Sequence, residues 1–116
     1  MSADNCLFCR IVSGDLPANV IYENDLVIGF RDINPKAPTH VLVIPRKHIS
    51  TINDIADDDA MLLGSMYLAA RDIASQEGLA APGYRTVMNC GEAAGQSVFH
   101  IHLHVMGGRT MTWPPG

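Results

Sequence analysis

From His100 to Val105 histidines alternate with aliphatic residues, His100-Ile-His-Leu-His-Val-Met106. Strict period-two alternation marks an extended strand, because successive side chains leave opposite faces. The pattern predicts a last strand over 97–106. One face, Ile101, Leu103 and Val105, is committed to a core, and the other displays three imidazoles in a row. A lone histidine is most simply a packed side chain. Three of the chain's five histidines within five positions ask for a chemical reason.

The other elements follow from period and punctuation. Leu7 to Ser13 reads as a short helix stopped at Gly14, with Pro17 beyond it. Val20–Glu23 and Leu26–Phe30 read as strands joined by an Asn24-Asp25 turn. Asp32 to Pro38 holds two prolines and is expected to be a loop. His40–Pro45 is β-branched, bounded by prolines, and expected to be a strand. From Asp57 to Gln76 the period changes: Leu62, Met66, Ala69 and Ile73 recur at helical spacing, widened by Leu63, Tyr67 and Ala70. Asp57 to Asp59 favour the start of that helix and Gly78 its end. Tyr84–Asn89 is a further strand and Cys90–Gln96 a glycine-containing loop. About five strands, one long and one short helix, and little room for βαβ crossovers imply an α+β fold with an antiparallel sheet.

A chain of 116 residues without repeats or linkers fits one domain, residues 1–116 with 107–116 as a C-terminal tail. At 47% hydrophobic and 17% charged it is neither disordered nor collagen-like, and three cysteines do not make a disulfide scaffold. No run approaches the ~20 apolar residues of a membrane span. The start lacks the basic and apolar regions of a signal peptide, so the expected address is the cytoplasm, with reduced thiols. A net charge of -4 argues against nonspecific nucleic-acid binding.

Two chemistries fit a row of imidazoles. Neighbours on one strand face stand ~6.6 Å apart and can share a zinc; the outer pair, ~13 Å apart, cannot comfortably do so, leaving one histidine idle. The alternative is covalent catalysis at phosphorus. Imidazole, with a pKa near ~6.5, is largely neutral and nucleophilic at cellular pH. It needs an acceptor on its second nitrogen and donors toward the phosphate and leaving group. A central nucleophile with a donor on either side meets that need. The small residues of Asn89-Cys-Gly-Glu-Ala-Ala-Gly-Gln-Ser97 offer backbone amides to an anion, though the stretch is not a Walker loop.

The His-φ-His-φ-His-φ-φ run resembles the histidine-triad superfamily. Phe30-Arg-Asp-Ile33, Ala37-Pro-Thr-His-Val-Leu-Val-Ile-Pro45, Gly95-Gln-Ser-Val98, Gly107-Gly-Arg109 and Trp113-Pro-Pro-Gly116 are similar to its nucleotide-binding, phosphoramidase branch. The likeness runs over nearly the whole chain. It implies the histidine-triad fold, with two sheets joined across a homodimer, and hydrolysis of purine nucleoside 5′-phosphoramidates. His102 would attack the α-phosphorus and carry the nucleotide until water releases it. His104 and Ser97 would contact the phosphate and leaving nitrogen, while His40 and His100 orient and tune the site. Asp32 would take the ribose hydroxyls, Phe30 and Ile33 would line the base pocket, and Asn89, Gly95 and Gln96 would complete the phosphate side. No cofactor is required for that chemistry.

Plainer readings stand beside these. Asp32 also suits a turn, Ser97 a strand start and His40 a packed position, and Phe30 and Ile33 are expected to be buried in any case. Dinucleoside polyphosphate cleavage and a non-catalytic nucleotide-binding scaffold are the rival functions. His104 stands where the superfamily's transferase branch has glutamine, which favours hydrolysis. Cys6 and Cys9 have two readings. Bacterial relatives bind structural zinc through such a pair with two histidines, here His48 and His100; otherwise the two thiols pack without metal. Cys90 is expected to be an isolated thiol.

Overall fold

The structure, a computed structural model, describes residues 5–116; residues 1–4, which open the stretch read as lacking a signal peptide, lie outside the described residues. Its regular elements are α1 (Leu7–Ser13), β1 (Val20–Glu23), β2 (Val27–Arg31), β3 (Thr39–Pro45), α2 (Ala60–Gln76), β4 (Tyr84–Val87) and β5 (Leu103–Gly107). The strands form one antiparallel sheet in the order β1-β2-β3-β5-β4, as the α+β reading expected. Among the described residues no helix is long and apolar enough to cross a membrane.

Each face of the sheet carries its own apolar cluster. On one, Val27, Val41, Val43, Ile101, Leu103 and Val105 pack beneath Met66, Ala69, Ala70 and Ile73 of α2. Small residues bring the helix close: a Cβ on Gly29 would lie 2.7 Å from Ile73 Cδ1. The opposite face, with Ile28, Phe30, Leu42 and Ile44, is covered by Cys6 and Phe8 of the α1 segment. The alternation predicted for 101–105 is therefore real, and the even-numbered histidines belong to the α1 side.

Four expectations need correction. The last strand starts at Leu103, six residues later than predicted. Register continued past Val43↔Leu103 would set Ile101 against Pro45, which has no N–H to donate, and Ile101 N donates instead to Ile49 O at 2.8 Å. The helix begins at Ala60; Asp57–Asp59 form a tighter 3₁₀ turn, where the Asp59 carboxylate accepts from Ala56 N–H and pairs with Lys47 at 2.6 Å. Tyr67, placed on the core stripe, is exposed, since the stripe is narrower than drawn. Ile33, expected to be buried, is 92% exposed because the proline loop lifts it off the sheet; Phe30, inside β2, is buried as expected.

Candidate active site

The even-numbered histidines are not displayed in a row. His100 is fully buried, His102 nearly so and His104 partly. Phe8 stands edge-on to two of them, its ring centroid 6.0 Å from that of His100 and 5.1 Å from that of His102. It separates two environments. His100 faces thiols, whereas His102 and His104, 5.1 Å apart, face a cleft of about 640 Å³. The predicted donor on either side of the central histidine is thus present on the His104 side only.

Hydrogen bonds fix the protonation of each ring. Lys36 N–H donates to His40 Nδ1 at 3.0 Å, so His40 carries its proton on Nε2. That Nε2–H donates to His104 Nδ1 at 2.9 Å and lies 3.4 Å from Asp32 Oδ2. His104 in turn keeps its proton on Nε2. His102 Nδ1–H donates to the His100 carbonyl at 2.9 Å, which leaves the His102 Nε2 lone pair free. His100 Nε2–H donates to Pro45 O at 2.8 Å, which leaves its Nδ1 free toward Cys6 Sγ at 3.3 Å and Cys9 Sγ at 3.5 Å. These backbone donors and acceptors lie outside anything a residue pattern displays.

Burial keeps these rings neutral. It lowers the pKa of His102 and of His40, against the pull of Asp32 on both. Burial, aided by His102 and His40, takes His104 to about 4. Burial likewise takes His100 to about 4, with the bond to Pro45 opposing. A neutral His102 with a bare Nε2 is an available nucleophile at neutral pH.

The cleft brings together Phe30, Asp32, Ile33, Ser97, His102 and His104. Asp32 divides its carboxylate: Oδ1 accepts from Asn34 N–H at 2.8 Å, as a turn former would, and Oδ2 faces His40. Asn89, Gly95 and Gln96 are not on the cleft wall. The Gln96 side chain is buried and turned inward, accepting from Gly91 N–H at 2.8 Å and donating to Ser50 O at 2.7 Å. Its amide therefore clamps the loop, and the backbone is what it can offer an anion. Sequence reasoning missed Leu7, Phe8 and Ile11, which line the apolar end. The available signal was an apolar i, i+4 pair on a helix that had been given no partner. A larger groove, about 800 Å³, lies along β4 and the tail and holds none of the triad histidines.

Among the described residues two clusters have metal-like composition: Cys6, Cys9, His48 and His100, and Asp32, His40 and His104. The first fits zinc. Its four donor atoms lie within 4.8 Å of one another, and Cys9 Sγ is 3.2 Å from His48 Nδ1. Both imidazoles turn the other nitrogen to an oxygen, His100 to Pro45 and His48 to Ser50 Oγ, as metal-bound histidines do. Burial and the neighbouring Cys6 push the Cys9 thiol up to about 11, the cost a thiophilic cation would reverse. The second cluster fits poorly. With Lys36 N–H on Nδ1, a metal at His40 Nε2 would need a doubly deprotonated ring. Among the described residues Cys90, half-buried, joins no such cluster.

The comparisons with known proteins agree. The HIT domain family matches residues 13–111. The chain is 45% identical over 109 residues to the purine nucleoside phosphoramidase of Escherichia coli, spanning 94% of this chain and 92% of that one. The crystal structure of a HIT family hydrolase from Legionella pneumophila superposes with a TM-score of 0.95 at 55% identity, covering 97% of this chain and all of that one. A zinc-bound histidine triad family protein from Mycobacterium smegmatis superposes with a TM-score of 0.81 at 41% identity, covering 94% and 78%. The chain belongs to the HIT family, and it is a HIT family hydrolase by fold and likeness.

Proposed function

We propose that this protein hydrolyses purine nucleoside 5′-phosphoramidates through a nucleotidyl–His102 intermediate. The observation that carries the reading is the His102 tautomer, with Nδ1–H tied to the His100 carbonyl and Nε2 left to the cleft. The similarity to the Escherichia coli phosphoramidase supports the substrate class.

The base enters the apolar end of the cleft, which Leu7, Phe8, Ile11 and Phe30 line, beside Ile33, and Asp32 takes the ribose hydroxyls. Ser97 and His104 receive the phosphate, while Asn89, Gly95 and Gln96, off the cleft wall, belong to the clamped loop that leads into Ser97. His102 Nε2 attacks phosphorus and the P–N bond breaks. The departing amine needs one proton. The bound phosphate's negative charge, with Asp32 3.4 Å from His40, favours a proton on the His40–His104 pair, and His104 Nε2–H passes it on. Water then attacks the phosphorus, the bond from phosphorus to His102 Nε2 breaks, and the water's proton returns to the His40–His104 pair, which frees neutral His102 and the nucleoside monophosphate.

Zinc held by Cys6, Cys9, His48 and His100 would be structural, a closed four-ligand site that supplies rigidity and no water activation. Two copies join as a homodimer through β4. That strand is paired on one side only, and Arg85 ties the tail to it through Thr112 O at 2.8 Å.

The test is to mix enzyme with adenosine 5′-phosphoramidate, quench early and find the nucleotide adduct on His102 by mass spectrometry. His102→Ala must lose both adduct and turnover. Faster cleavage of diadenosine polyphosphate than of the phosphoramidate would overturn the substrate assignment.

A further inference from the structure

The segment that carries Cys6 at its N-cap and Cys9 in its first turn is also a wall of the cleft. Leu7, Phe8 and Ile11 line it, and Leu16 continues the wall beyond the helix. Seven residues are too few to hold a helix without tertiary support. Phe8, the buried residue of α1, supplies part of it by packing edge-on to Phe30 at 5.5 Å. The thiols supply its polar ties, through His48 and His100. Among the described residues, no other hydrogen bond or ion pair joins 6–16 to the body of the protein. Ile11 and Val12 also pack against the apolar cluster on this face, whereas Leu7 is 45% exposed, so the rim of the wall is its least constrained part.

The phosphate end is built differently. His104 lies in β5, paired on both sides, and the Gln96 amide clamps the preceding loop to Gly91 and Ser50. The His100 ring keeps its bond to Pro45 O whatever its Nδ1 does. The four sulfur and nitrogen donors, by contrast, come from three separate pieces of chain: the start of α1, the segment after β3, and the segment before β5.

We propose that zinc at Cys6, Cys9, His48 and His100 latches α1 against the sheet and so sets the cleft's affinity for the base of a nucleotide, leaving affinity for its sugar phosphate unchanged. The inference rests on the nucleotide reading above. With the latch closed, Leu7, Phe8 and Ile11 are preorganised; with it open, binding must order them first.

Calorimetric titration of the zinc-loaded and chelator-stripped protein with adenosine monophosphate and with ribose 5-phosphate tests this. Stripping should weaken the nucleotide by about tenfold or more, the equivalent of ordering a few side chains. Ribose 5-phosphate should change little, and added zinc should restore the difference. Amide exchange across 7–13 should quicken on stripping. Leu7→Ala should weaken the nucleotide in the loaded protein and add little in the stripped one. An unchanged nucleotide affinity, equal weakening of both ligands, or failure to take up about one zinc per chain would overturn the latch. A loaded protein that binds ribose 5-phosphate and gains nothing from the base would instead overturn the nucleotide reading.

Discussion

The carbonyl oxygen of His100 lies 2.9 Å from Nδ1 of His102, so the residue that faces the thiols also fixes the tautomer of the residue that faces the cleft. The His100 ring is itself anchored by its bond to Pro45 O, which steadies the carbonyl. Replacing His100 with alanine removes that anchor from a fully buried position. We expect kcat to fall by about 10–100-fold, as it does when a supporting hydrogen bond to a site ligand is cut. Chelated wild-type protein, which keeps the ring and the carbonyl, should retain most of its kcat. Steady-state kinetics on the two samples, with metal content measured alongside, separates the roles.

His104 receives the His40 Nε2–H on Nδ1, and its own Nε2–H is the proton donor nearest the departing group in the proposed reaction. A poor leaving group needs that proton and a good one does not. His104→Ala should therefore slow cleavage of an alkyl phosphoramidate by about 10²–10⁴-fold. A nucleotide ester of a nitrophenol should lose far less. His40→Ala should repeat the pattern more weakly. Rates that fall equally across the series would show that His104 does not serve the leaving group.

The sheet was legible because its signals are local. Alternation at 101–105 and the stripe from Leu62 to Ile73 each depend on residues a turn or a pleat apart. What escaped depends on pieces far apart in sequence. The strand's late start is set by Pro45, lying across the ladder from Ile101. The site residues could be named from their motifs, yet their tautomers rest on Lys36 N–H, Pro45 O and the His100 carbonyl. Backbone groups are carried by every residue and so leave no mark in a pattern.

Arg85 Nη2 holds Thr112 O at 2.8 Å, fastening the tail to the β4 edge, while Trp113 is 81% exposed just beyond. In the homodimer proposed above, the resemblance to the phosphoramidase branch implies that each copy's tail reaches toward the partner's cleft. Deleting Thr112 to Gly116 should alter the relative rates for a series of leaving amines. Identical relative rates before and after the deletion would remove the tail from substrate selection.

Burial beside His102 and His40 takes His104 to about 4, against an ordinary value near ~6.5. Between those values the unfolded chain binds a proton that the folded one refuses. Stability from this group is complete above about pH 6.5 and is lost as pH falls toward 4. His40, also lowered, acts in the same direction. Thermal melts of chelated protein should show the wild type losing more stability than His104→Gln over that window. Parallel curves would mean that another group is titrating.

Gly108 has φ +91°, and a Cβ there would stand 2.9 Å from Pro38 Cβ and 3.3 Å from its Cγ. The obstacle is a closed ring on a proline loop, which has no rotamer to swing away. At Gly29, whose φ is ordinary, the nearest obstacles are Ile73 Cδ1 at 2.7 Å, the end of an aliphatic side chain, and Tyr22 Cβ at 3.3 Å. Gly108→Ala should therefore cost about 1–3 kcal/mol, through overpacking and a disfavoured φ, and Gly29→Ala less. Urea midpoints at constant slope measure both. Pro38 immediately precedes the strand that presents His40, so a push on its ring moves His40 relative to His104. Gly108→Ala should then also slow cleavage of poor leaving groups more than good ones, whereas Gly29→Ala, acting on the α2 face, should leave that ratio unchanged.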